Sequence, residues 1–159
     1  MSAETAAGIG ADAVGATSRA PGVVRLARVT GTDLSVAEHL DVVRSRAAGA
    51  VVTFVGQVRD HDPSVTGEVA ALEYSAHPDA QRILADVAAR CAAPGTLVAI
   101  SHRTGLLDVG GLALVAAVAS AHRRLAFETC EALVEAVKAE VPVWKREILR
   151  DGTYHWVGL

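Results

Sequence analysis

Residues 138–147 read Lys-Ala-Glu-Val-Pro-Val-Trp-Lys-Arg-Glu, and this run decides how the second half of the chain folds. Arg124 to Glu140 reads as a helix; Pro142 lacks an N–H and its ring crowds the preceding turn, so the helix must stop there. Val143 to Leu149 then reads as a strand, returning as a hairpin with Tyr154 to Val157 over Asp151-Gly152. Alternation along it puts Lys145 and Glu147 on one face and Trp144, Arg146 and Ile148 on the other, with Trp144 expected against the core. The run also holds both lysines of a chain that carries thirteen arginines. Lysine can shed its proton and attack an electrophile and arginine cannot, so the pairing suggests chemistry. A lysine near a helix C-terminus also suits the macrodipole, and at this point both readings stand.

Working outward, Leu112 to Ser120 is an apolar strand leading into Ala121-His122-Arg123-Arg124 and the helix. It is expected to pair with Leu97 to His102 across the hairpin signal Asp108-Val109-Gly110-Gly111. Asp79 to Cys91 reads as a helix with Ile83, Val87 and Cys91 in register, closed by Pro94-Gly95. Ala50 to Val58 is β-branched and apolar, a buried strand expected to pair with Val69 to Tyr74 across a polar loop. Ser35 with Glu38 forms a capping box, and Val36, Leu40, Val43 and Ala47 repeat on one helical face up to Gly49. Val23 to Val29 reads as the first strand. The order βαββαββαββ, rich in hairpins, predicts an α+β fold with a largely antiparallel sheet and three main helices. Residues 1–22, of Ala, Gly, Ser and Thr with almost no large side chain, read as a disordered leader, and 23–159 as a single domain.

Composition narrows function. A net charge of −3 gives no basic field for nucleic acid, and no run of 18 apolar residues suggests a membrane span. Cys91 and Cys130 have no CxxC or paired spacing and read as small buried hydrophobes in a reducing, cytoplasmic setting. The Asp60-His61-Asp62 run lacks metal-ligand spacing and reads as a polar loop; no metal and no cofactor is expected. At the start of the third helix, His122, Arg123 and Arg124 join the dipole's positive end and free N–H groups, which suits an anion such as phosphate. Arg59, just past the end of a strand, could complete such a site.

Gly49-Ala50-Val51-Val52-Thr53-Phe54-Val55-Gly56-Gln57-Val58-Arg59, Leu72-Glu73-Tyr74, Ser120-Ala121-His122-Arg123 with Ala126-Phe127-Glu128, and Lys138 with Pro142-Val143-Trp144-Lys145-Arg146-Glu147 follow one another in the order and spacing of a known family. The sequence resembles the catalytic, large subunit of molybdopterin synthase over roughly residues 23 to 157. The resemblance implies an α/β-hammerhead fold and a homodimer of large subunits within a heterotetramer. It implies a small ubiquitin-like sulfur carrier whose C-terminal Gly-Gly thiocarboxylate supplies two sulfurs to cyclic pyranopterin monophosphate, giving molybdopterin. Carried over by position, Lys138 and Lys145 are the catalytic residues. Gln57, Val58, Arg59, His122, Arg123, Lys138, Lys145, Arg146 and Glu147 bind substrate.

Departures from the family pattern at Gln57, Asp79, Gly111 and Val143 bear on partner fit and affinity. With Arg59, Arg123 and a second lysine near, an ammonium in the empty site is expected to have a lowered pKa. Two other readings of the same residues are a non-catalytic phosphate-binding scaffold subunit and a lysine Schiff-base enzyme acting on a phosphorylated carbonyl compound.

Overall fold

Residues 19–157 are described by the computed structural model. In chain order they form β1 Val23–Thr30, α1 Val36–Val42, β2 Ala50–Gln57, β3 Val69–Ala76, α2 Ala80–Cys91, β4 Thr96–Arg103, β5 Gly105–Asp108, β6 Leu112–Ser120, α3 Arg123–Glu140, β7 Val143–Leu149 and β8 Tyr154–Val157. The fold is α+β and mostly antiparallel. Its strands divide into two four-stranded sheets, β1-β4-β6-β2 and β5-β3-β7-β8, where the sequence suggested one. Only β1 with β4 runs parallel among the described pairs.

The centre of the first sheet is β6, Leu-Ala-Leu-Val-Ala-Ala-Val-Ala-Ser, uncharged because both its faces are covered. Alternation sorts its side chains. Leu114, Ala116 and Val118 join Val98 and Ile100 of β4 against Leu84 and Val87 of α2 and Leu133, Val134 and Val137 of α3. Ala117 and Ala119 face the opposite way, with Ala99, and pack beneath Val43. Burying a side chain such as Leu133 or Ile100 contributes about 1.5–3 kcal/mol, so this layer dominates stability. A smaller cluster of Val58, Val69, Leu72, Leu107 and Ala113 lies where the two sheets meet.

Several expectations are corrected. Val69–Ala76 does not pair with β2; it sits between β5 and β7 in the second sheet, while β2 pairs with β6. The polar loop between them is a crossing from one sheet to the other. β4 and β6 do pair, but the glycine turn at 108–111 joins β6 to β5, a short strand the sequence analysis missed. β2 is the sheet's edge, with Val51 exposed, so it is not a fully buried strand.

α1 ends at Val42, well before Gly49. Val43 is its cap, and Ser45 then turns the chain by accepting from Ala47 N through its hydroxyl. Its buried face is His39 and Val43, with Leu40 exposed. Ser35 Oγ does accept from Glu38 N, at 3.2 Å, but the Glu38 carboxylate closes no capping box because it pairs with Arg28 at 2.7 Å.

Most of the expected disordered leader, residues 1–18, lies outside the described residues. Within 19–22, Ala20 O accepts from Gly95 N at 2.6 Å. A Cβ on Gly22 would lie 2.1 Å from Ala92 O, so these last residues run against the C-terminal end of α2.

Candidate functional site

The cleft that gathers the sequence's chemical residues lies where α3 ends and β7 begins, on the side of the second sheet that faces the first. Lys138 stands in the last turn of α3, and Val141 caps the helix before Pro142. β7 then leaves with Lys145 opposite Tyr74 and Glu147 opposite Leu72, so these four side chains share one face. Gln57 closes β2, and the crossing loop brings Arg59, His61 and Asp62. Gln57, Arg59, Asp62, Tyr74, Lys138, Lys145 and Glu147 line a cleft of about 290 Å³. Gln57, Tyr74, Lys138 and Lys145 also line an adjoining recess of about 240 Å³ whose further walls include His102, Leu114, Val137 and Val143. A mouth of polar groups over an apolar recess is the usual build of a small-molecule site.

Lys145 is the most constrained of these groups. Its Nζ donates to Asp62 Oδ2 at 2.9 Å and to Glu147 Oε1 at 3.3 Å. Burial pulls the ammonium pKa down, but Asp62 and then Glu147 outweigh burial, and the net shift is upward. The expected lowering is therefore corrected. That expectation counted cations around the site and missed a carboxylate in contact with the amine. Asp62 is held well below the usual carboxylate range, chiefly by the Ser64 hydroxyl and backbone N–H and then by Lys145. Glu147 goes the other way, raised by burial, with its Oε2 unpartnered and the residue 1% exposed. Tyr74 is raised by burial, and His102, edge-on to it at 5.2 Å, is lowered by burial.

The other candidate residues lie elsewhere. Val58 is buried in the cluster between the sheets, and its backbone is bonded to Gly110 and Gly111, so its side chain does not line the cleft. Arg146 projects from the opposite face of β7, pairing with Glu73 and stacking over Tyr154 and Trp156 at 5.0 and 5.6 Å. Trp144, expected in the core, is on that outer face and exposed, edge-on to His77.

His122 and Arg123 stand at the start of α3, with His122 as its N-cap. They border a separate shallow pocket with Gly49 and Arg124. From Arg123 to Lys138 is 138 − 123 = 15 residues of helix, or about 22 Å at 1.5 Å per residue. One chain therefore does not bring them to the lysines. Arg124 is engaged with Glu128 at 2.7 Å.

Sequence reasoning overlooked Asp62 and His102 and gave Tyr74 no role. For Tyr74 the signal was available in the alternation of β3. For Asp62 it was not, because nothing local tells which strand a loop carboxylate will meet.

Among the described residues no group of three or more His, Cys, Asp or Glu is placed to hold a metal ion, and no helix is long and apolar enough to cross a membrane.

Comparison with known proteins identifies the family of the chain. The MoaE protein family matches residues 29–140. The chain is 39% identical over 142 residues to molybdopterin synthase catalytic subunit 1 of Mycobacterium tuberculosis, covering 87% of this chain and 95% of that protein. Among solved structures, molybdopterin synthase from Staphylococcus aureus superposes with a TM-score of 0.76 at 32% identity, over 85% of this chain and 98% of that one. A chain from the complex of subunits 1 and 2 of the molybdopterin-converting factor of Helicobacter pylori superposes with a TM-score of 0.64 over 84% of this chain and 89% of that one. At 19% identity it speaks for the fold. With the family match spanning most of the domain and relatives this similar over nearly their whole length, the chain belongs to the MoaE protein family, the family of molybdopterin synthase catalytic subunits that serve molybdenum cofactor biosynthesis.

Proposed function

We propose that this chain inserts two sulfurs, delivered as a thiocarboxylate on the C-terminal Gly-Gly tail of a small ubiquitin-like subunit, into cyclic pyranopterin monophosphate to give molybdopterin. The observation that carries the reading is that the only two lysines of the sequence, Lys138 and Lys145, line one cleft with Arg59, Gln57 and Glu147. Lys145 reacts with or polarises the electrophile; Lys138 and Arg59 hold the anionic parts of substrate and tail. Cys130 is buried and its thiol pKa is raised by burial, so it is a poor sulfur carrier, in keeping with sulfur supplied by a partner. Both cysteines are free, as a reducing cytoplasm would leave them. The assembly named for the Helicobacter pylori relative is of the kind the reaction needs.

His122 and Arg123 belong to the same chemistry if two copies of the chain pair about a two-fold axis. The distance along α3 then requires that they enter the cleft of the partner copy, so the site is shared between protomers. The pocket at the α3 N-terminus includes Gly49 and Ala50 at the start of the edge strand β2, so a copy seated on that edge would meet His122 and Arg123.

A tail that reaches Lys145 must pass as extended backbone between Tyr74 and the crossing loop, which glycine permits and a bulky residue does not. A partner ending Gly-Gly-Phe, with the thiocarboxylate carried on the phenylalanine, is expected to form no molybdopterin while the complex still forms in size-exclusion chromatography. Unimpaired product would rule out insertion of the tail.

A further inference from the structure

We infer that Asp62 is a positioning residue of this cleft: its carboxylate, locked by Ser64, fixes the Lys145 ammonium against Glu147. Asp62 comes from the Asp60-His61-Asp62 run, which neither metal binding nor the proposed chemistry accounts for. Its two oxygens have separate tasks. Oδ1 accepts from Ser64 N at 2.8 Å and from Ser64 Oγ at 2.6 Å, while Oδ2 takes Lys145 Nζ at 2.9 Å. The turn that aims it is closed by Val65 N to Asp62 O at 3.2 Å and Val69 N to Asp60 O at 2.8 Å. A loop carboxylate bonded back to its own turn in this way cannot swing with the lysine; the lysine must come to it.

This is not a surface ion pair of the kind that contributes little. The Asp62 side chain is 11% exposed and that of Lys145 27%. The charged and titratable groups facing Lys145 are Arg59, His61 and Asp62 from the loop, Tyr74 from β3, Lys138 from α3 and Glu147 from β7 itself, with His102 of β4 across the recess. Of the two carboxylates touching the amine, Asp62 is held down by the Ser64 hydroxyl and N–H while burial pushes Glu147 up, so Asp62 is the more firmly ionised partner of Lys145. Asp62 thus balances Lys145, and Glu147 keeps a buried acceptor, Oε2, beside it.

The catalytic half of this inference rests on the proposed function, so the test has one arm that does not. Because the chain has only two lysines, reductive methylation with ¹³C-formaldehyde gives two lysine NMR signals besides the terminal amine, assigned with Lys138→Arg. In full-length Asp62→Asn the Lys145 signal is expected to titrate at lower pH than in the parent chain while Lys138 stays put. Ser64→Ala should move it the same way by less, and serves if Asp62→Asn fails to fold. With the thiocarboxylated partner, turnover of Asp62→Asn should fall roughly tenfold to a hundredfold, the scale of a reacting group misplaced by about an ångström, with KM for the precursor little changed. An unmoved Lys145 signal overturns the inference whatever the activity. A moved signal with unaltered turnover overturns the positioning role. Full turnover of Lys145→Ala would instead sink the synthase chemistry, while the titration tests the Asp62–Lys145 contact independently of that chemistry.

Discussion

Folded Lys145→Arg is expected to form no measurable molybdopterin from precursor and thiocarboxylated partner, a loss of more than roughly a thousandfold, as for removal of a group that reacts. The substitution is chosen because it is mild everywhere else. A guanidinium can still pair with Asp62 and Glu147, so the cleft keeps its charge and the β3–β7 register its cross-strand contact with Tyr74. What it cannot do is give up a proton at any accessible pH. Lys145→Ala should be equally inactive, and Lys138→Ala severely impaired but not silent, since Lys138 meets the cleft from the helix end without the two carboxylates that grip Lys145. Circular dichroism spectra overlaying those of the parent chain would establish folding. Near-normal turnover of folded Lys145→Arg would mean that positive charge suffices and that no lysine-specific step exists.

The second large effect is a rescue. Arg123→Ala is expected to weaken precursor binding by about 1.5–3 kcal/mol, the cost of a lost charged hydrogen bond, and Lys145→Ala to be inactive. If the site is shared across a two-fold axis, mixing the two variants, with exchange of protomers, builds hybrids carrying one site with both residues intact and one with neither. In an equimolar mixture random pairing makes half of the dimers hybrid with half of their sites whole, so activity at limiting precursor should recover to about a quarter of that of the same total amount of parent chain. Arg124→Ala, whose side chain is tied to Glu128, should need no rescue. Failure of the mixed sample to exceed the sum of its parts would place His122 and Arg123 outside the lysine site.

Local patterns carried most of the elements. Pro142 marked the end of α3, the alternation of β7 placed Lys145 beside Glu147, and the apolar run from Leu112 to Ser120 marked β6. The partition into two sheets was illegible. Ala50–Gln57 and Val69–Ala76 look like a hairpin because they are near in sequence, and only the packing of β5 and β7 shows that β3 belongs elsewhere. The same blindness hid Asp62, whose contact with Lys145 spans 83 positions. It also lent Trp144 to the core: the pattern gave its face correctly but not which face is covered, and the outer one is wet.

The strand order β1-β4-β6-β2 has a consequence for how the chain is made. Its middle pair, β4 and β6, is nearly contiguous in sequence, whereas β1 and β2 flank that pair and are synthesised well before it. From the end of β2 at Gln57 to the end of β6 at Ser120 the ribosome adds 120 − 57 = 63 residues, roughly 3 to 13 seconds of elongation at ordinary rates. Throughout that interval Val51, Val52, Phe54 and Val55 have no sheet to join, and an unpaired strand of this kind invites association with other chains. Nascent chains arrested near residue 110 should therefore be cut by protease within β2, and chains arrested far enough on for Ser120 to clear the exit tunnel should not. Protection of β2 in the shorter chains would mean that it finds shelter before its partner strand exists. The N-terminal third of this protein is in effect a passenger, and its folding is timed by the strand that arrives last in the sheet.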